Sequence, residues 1–240
     1  MSTQKQRIWE LDALRGFLIL CVVIAHSLYF GAFVLGFFDL PPLITFVISY
    51  GGALFVLLSG LSSTLGTHSV QRGLVVFTGG MILTLGSLIA VHWKILEPDM
   101  VIRYGVLHML GTAMLLTPVL KRLPTWELLI FGVLVVILGY ILDAHPVYSD
   151  SHLLFPLGVT YPGFSSGDYF PLAPHLGWYC LGIVLGRTLY REKKTLLPQV
   201  NEYAPPIRFF SFCGRNSLYI FILHLPVVGG VMMLLYLLAK

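Results

Sequence analysis

Charge is what this chain has least of. Only 11% of its 240 residues are charged, against 57% hydrophobic, whereas soluble domains run near ~25% charged and ~45–50% apolar. So little charge cannot clothe a water-facing surface. A single soluble domain, a disordered chain and a partner of nucleic acid are therefore excluded. Cysteine is scarce as well. Cys21, Cys180 and Cys213 are odd in number and lack ligand spacing, so neither a disulfide framework nor a zinc site is indicated, and no metal is expected. No Walker or dinucleotide glycine motif is present, which disfavours nucleotide hydrolysis. No lysine lies inside an apolar run, which excludes a retinal Schiff base.

What is present is a series of apolar runs, each long enough to cross a ~30 Å hydrocarbon core. Seven spans are expected, at about 16–36, 43–65, 71–92, 102–120, 126–142, 172–190 and 214–238. The fold class is therefore an all-α integral membrane protein, a polytopic bundle of about seven transmembrane helices in the lipid bilayer, forming a single domain over residues 1–240. No A-x-A-like site follows the first run, which reads as a retained helix rather than a cleaved signal. The gaps on one side hold Lys5, Arg7, Arg15, Arg72, Lys121, Arg122, Arg187, Arg191, Lys193, Lys194, Arg208 and Arg215, and those on the other Lys94, Arg103 and Lys240. This 12-to-3 division puts the N-terminus in the cytoplasm and the C-terminus outside. The long loop 143–171 then faces outward. In the sixth span, Gly182-Ile183-Val184-Leu185-Gly186 has the small-residue spacing of close helix packing, which a homodimer could also use.

Ionisable residues inside spans are costly, and each calls for a reason. The first span opens with Asp12-Ala13-Leu14-Arg15-Gly16 and carries His26 in its middle. Eleven residues separate Arg15 from His26, so at ~100° per residue they share a helix face, with His26 roughly 16 Å deeper. A guanidinium at the cytoplasmic edge suits a phosphate or carboxylate, and a neutral imidazole near the midplane can act as a base. The pair reads as one face of a cleft for an anionic ligand entering from inside. The competing reading is a boundary Arg15 paired with Asp12 and a His26 hydrogen-bonded between helices.

These residues also carry a resemblance. The Asp12–Gly16 segment followed by His26 resembles the first helix of the transmembrane acyltransferases. Tyr104-Gly105-Val106-Leu107-His108-Met109-Leu110-Gly111, Asp168-Tyr169-Phe170-Pro171-Leu172, and Ser217-Leu218-Tyr219-Ile220 with His224 and Pro226 are similar to the catalytic membrane domain of the heparan-alpha-glucosaminide N-acetyltransferase family. The resemblance implies a single acyltransferase domain, in a short prokaryotic-type member of the cytoplasmic membrane. It would move an acetyl group from cytoplasmic acetyl-CoA to an amine or hydroxyl of an extracytoplasmic acceptor, a cell-envelope glycan. It implies His26 as the catalytic imidazole, with Arg15 and Asp12 on the donor side. That branch has Asn where His26 stands and its own His where Phe37 and Phe38 stand here, so the heparan substrate is not carried over.

Around this core, His108, Asp168, Tyr169, His175, His224 and Ser217 are supporting or acceptor-side candidates, each with helix packing as the bland alternative. Ser217 and His224 share a face, seven residues apart, and Pro226 frees the carbonyl of Ile222 for a polar partner. Arg72, Lys121, Arg122 and Arg187 join Arg15 as candidates for the phosphates of CoA. The aromatic-rich outer loop can stack on sugars or anchor the interface. Two other functions share the histidine pattern: a proton-coupled small-molecule transporter, and a b-type haem protein with two axial histidines.

Overall fold

A computed structural model describes residues 8–34 and 36–238. Lys5, Arg7 and Lys240 of the charge count, and Leu35 of the first expected span, lie outside these residues. Among the described residues the secondary structure is helical, without a β-strand: α1 (Trp9–Tyr29), continued by a π-helical turn (Phe30–Val34), α2 (Pro42–Leu65), α3 (Ser69–His92), α4 (Val106–Leu120), α5 (Thr125–Ala144), α6 (Leu172–Leu189), α7 (Pro205–Arg215) and α8 (Ser217–Leu238). Every expected span meets a helix. Four of them, Trp9–Ala32, Pro42–Leu65, Ser69–His92 and Thr125–Ala144, are long and apolar enough to cross a membrane, and the α7–α8 pair makes a fifth if its 80° bend falls within one span.

Three boundaries differ from expectation. Residues 101–105 are not helical, and α4 is only 15 residues long, about 22 Å at 1.5 Å per residue. The backbone of 101–105 is instead hydrogen-bonded to the outer loop, where Gly167 donates to the Val101 carbonyl and Phe170 to that of Tyr104. In α6, Ala173 is extended before a cis bond to Pro174. The basic residues 191–213 between the last two expected spans hold most of α7, which starts on Pro205-Pro206 and runs to Arg215, so that α8 begins only at Ser217; proline is at home in a first turn, where its missing N–H has no partner to lose.

The chain divides into two compact units, residues 1–55 with 192–240, and residues 56–191. In the first, α7 lies across the start of α1. A Cβ at Gly16 would strike the Phe210 carbonyl, and one at Gly214 the Asp12 carbonyl, so only glycine permits this crossing. Leu11 and Ile19 of α1 are buried, and Phe17 meets Phe210 edge to face.

In the second unit α3 runs antiparallel to α4, and α5 to α6: Gly73 faces Gly111 and Leu115, and Gly139 faces Pro174. Gly182 and Gly186 meet Leu57 and Leu61 of α2, so the small-residue stripe of the sixth span packs inside the chain. Tyr179, Ile183, Met109 and Leu128 are fully buried, and the Tyr179 hydroxyl is satisfied by Thr117 at 2.8 Å. The alternating directions gather Arg72, Lys121, Arg122, Arg187 and Arg191 at one end, with Lys94 and Arg103 at the other.

Candidate functional site

The sequence-predicted residues fall into two clusters, one per unit. In the first, the His26 ring on α1 lies nearly parallel to the His224 ring on α8, with an interplanar angle of 10°. His26 Nδ1 is 2.6 Å from His224 Nε2, and His224 Nδ1 is 2.6 Å from the Phe221 carbonyl oxygen. The carbonyl can only accept, so His224 Nδ1 carries a hydrogen. In a neutral His224 the Nε2 is then a bare acceptor, and the hydrogen between the rings belongs to His26 Nδ1. The remaining nitrogen, His26 Nε2, is left with a lone pair. An imidazole whose Nδ1–H is held by an acceptor is oriented to use Nε2 as a base.

The backbone widens next to this pair. The Phe30 N–H reaches the carbonyls of both His26 and Ser27, and the π-helical turn Phe30–Val34 follows. Such turns interrupt helices mostly where function needs a local shift of register. Pro226 lies inside α8 as expected, but His224 satisfies the carbonyl of Phe221 rather than that of Ile222. Four residues before Gly16, Asp12 accepts from Arg15 at 3.2 Å, an i,i+3 ion pair with both side chains about one fifth exposed or less. Ser217 opens α8, seven residues before His224.

The second cluster joins the Tyr104–Gly111 and Asp168–Leu172 motifs. Asp168 Oδ2 accepts from the Val106 N–H at 3.0 Å, capping α4 from 62 residues away; a carboxylate is favourable at this positive helix end. A Cβ at Gly105 would collide with that carboxylate. Burial nevertheless pushes the Asp168 carboxyl up to about 6, with the Val106 N–H opposing. Tyr169 donates to the Phe155 carbonyl at 2.6 Å, and burial, with Tyr104 beside it, pushes its phenol up to about 12. It therefore remains a neutral donor.

His108 is fully engaged. Its Nδ1 accepts from the Gly105 N–H at 3.3 Å. Its Nε2 faces Thr84 Oγ1 at 3.4 Å, while that hydroxyl gives its own hydrogen to the Ile102 carbonyl at 2.7 Å. The Nε2 contact thus joins α4 to α3, while the Nδ1 bond is local to the start of α4, and a Cβ at Gly80 would sit 2.9 Å from the ring. His175 donates from Nδ1 to the Pro171 carbonyl at 2.8 Å and packs on Phe170. Arg103 bonds the Tyr161 hydroxyl and lies over the Phe164 ring, within a cluster of loop aromatics that includes Phe155 and Tyr169.

The candidate phosphate binders differ in their commitments. Arg187 donates at 2.8 Å to the carbonyls of both Lys121 and Leu123, in the turn that follows α4. Lys121 donates to the Ser63 carbonyl at 2.6 Å. Arg72 and Arg122 are exposed. Sequence reasoning missed Thr84, Ser166 and the Phe221 carbonyl. Ser166, which bonds both the Arg103 N–H and the Asp168 carbonyl, has no signature beyond proximity to Asp168. Thr84, a hydroxyl in an otherwise apolar run, gives at least a polar signal.

The family model described as "Heparan-alpha-glucosaminide N-acetyltransferase, catalytic" matches residues 7–226. No match was found among curated proteins or among solved structures.

Proposed function

The chain belongs to the heparan-alpha-glucosaminide N-acetyltransferase catalytic family, and on that premise we propose that it transfers an acetyl group from cytoplasmic acetyl-CoA to an amine or hydroxyl of a cell-envelope glycan. The observation that carries this reading is the lone pair left on His26 Nε2 by the His26–His224–Phe221 relay.

The chemistry follows from that atom. His26 Nε2 removes the proton of the acceptor amine or hydroxyl as the acceptor nitrogen or oxygen attacks the thioester carbonyl carbon. The new amide or ester bond forms, the carbon–sulfur bond breaks, and the imidazolium returns its proton to the departing thiolate of CoA. His224 is a positioning residue, holding the tautomer that leaves Nε2 bare. The charge bias supports a cytoplasmic N-terminus and an outer C-terminus, in a single catalytic domain of a prokaryotic cytoplasmic membrane. On this orientation Arg15, paired with Asp12, lies on the donor side, as do the exposed Arg72 and Arg122. Asp168, Tyr169, His175 and the loop aromatics form the acceptor-facing end of the second unit, with His108 holding that end together.

The test is incubation of purified protein, reconstituted in sealed vesicles, with radiolabelled acetyl-CoA and envelope glycans. Label appearing on glycan with release of free CoA is the expected result. Hydrolysis of acetyl-CoA no faster than in protein-free vesicles, with no labelled glycan, would overturn the reading.

A further inference from the structure

Helix α7 stands outside everything assigned so far. It turns 80° from α8, as a helix does when it lies along a membrane surface before the chain enters the bilayer. Against it, within the first unit, is a cavity of about 660 Å³ whose lining includes Trp9, Arg208, Phe209, Ser211, Phe212 and Arg215. Arg208 and Arg215 are two helical turns apart and so share a face. Among the described residues neither is within ion-pair distance of a carboxylate; Glu202, also in the lining, leaves the cavity positive by one charge. Phe209 and Phe212 are more than half exposed.

One buried group points to a ligand. Ser211 is 5% exposed, lines the cavity, and its Oγ has no hydrogen-bond partner. Buried hydroxyls are normally satisfied, so a donor left open beside two free guanidinium groups marks a place for an acceptor of negative charge. Guanidinium forks and a hydroxyl match the oxygens of a phosphate, and the rings offer an apolar floor for whatever the phosphate is attached to.

We propose that this cavity binds a phosphate ester carried on an aromatic or apolar body, its phosphate held by Arg208, Arg215 and Ser211 and its body lying on Phe209, Phe212 and Trp9. Two sources share that chemistry: the 3′-phosphorylated adenosine end of coenzyme A, an assignment that rests on the acetyl-CoA reading above, and the headgroup of an anionic phospholipid.

The experiment compares the wild type with R208Q/R215Q and S211A in nanodiscs. The arginines are exposed and the Ser211 hydroxyl has no hydrogen-bond partner, so among the described residues neither change breaks an ion pair or a hydrogen bond of the folded protein. One arm measures calorimetric binding of coenzyme A against dephospho-coenzyme A, which lacks the 3′-phosphate. The other measures retention of phosphatidylglycerol against phosphatidylcholine by native mass spectrometry. The proposal expects the wild type to favour the more phosphorylated or anionic probe about tenfold or more in one arm, and R208Q/R215Q to lose that preference. The arm that responds names the source. If wild type and double variant are indistinguishable in both arms, the proposal is wrong. Coenzyme A binding that persists undiminished in that case leaves the acetyltransferase reading intact. Failure of the wild type to bind coenzyme A in any form would count against that reading, while the lipid arm still decides the site.

Discussion

His26 donates its Nδ1 hydrogen to His224 Nε2 across 2.6 Å, and His224 in turn donates to the Phe221 carbonyl. The order of donors is fixed at the carbonyl end, because an oxygen there can only accept. Replacing His224 should therefore injure the reaction through His26. His224→Leu is expected to lower kcat by about 10²-fold, part of the ~10²–10⁴ that a positioned base supplies, with KM for acetyl-CoA unchanged. His224→Gln, whose amide oxygen can accept the His26 hydrogen, should recover part of the loss. Equal rates for the Leu and Gln variants would mean that His224 only fills space.

Asp168 gives the clearest pH dependence. Its folded-state carboxyl is raised to about 6 from 3.8, so the folded protein favours the neutral acid. The stability this contributes is fully present below about 4 and is lost as pH rises through about 6. Asp168→Asn keeps an acceptor for Val106 but cannot ionise. It should match the wild type near pH 4 and exceed it at pH 7.5, by up to about 3 kcal/mol. Thermal unfolding in detergent at the two pH values measures this, and a pH-independent difference would contradict the buried ionisation.

Arg187 separates a structural cation from a substrate-binding one. Its two 2.8 Å bonds to the carbonyls of Lys121 and Leu123 hold the turn that follows α4. Arg187→Gln should cost about 1–3 kcal/mol of stability and leave KM for acetyl-CoA within about twofold of wild type. A rise in KM of tenfold or more at unchanged stability would return Arg187 to the phosphate-binding set.

Much of this organisation is legible in the sequence, and the exceptions have physical reasons. Apolar runs bounded by charge or proline read correctly as helices, because the bilayer demands length and internal hydrogen bonding. The His26–His224 pair joins residues 198 positions apart; each is visible as an ionisable residue in an apolar run, but nothing local says that they meet. Helix α7 hides in a basic segment because it is amphipathic rather than uniformly apolar. The start of α4 is displaced by hydrogen bonds to a loop more than 60 residues away, which no periodicity within residues 101–106 can report.

His108 illustrates the value of counting donors and acceptors. With both nitrogens occupied by Gly105 and Thr84, it has no lone pair to offer a substrate. Gly80→Ala, which crowds the ring, and His108→Phe, which removes its bonds, should each cost about 1–3 kcal/mol of stability. The kcat of folded protein should change less than threefold. A loss of kcat beyond tenfold in folded His108→Phe would instead give His108 a direct part in the reaction.

The most direct measurement is acetyl transfer by His26→Ala, reconstituted in sealed vesicles with labelled acetyl-CoA and acceptor glycans, alongside calorimetric binding of acetyl-CoA. The His26 base predicts turnover lower by about 10²–10⁴-fold, with binding within about threefold of wild type. A His26→Ala protein that folds, binds acetyl-CoA and transfers acetyl at the wild-type rate would contradict it.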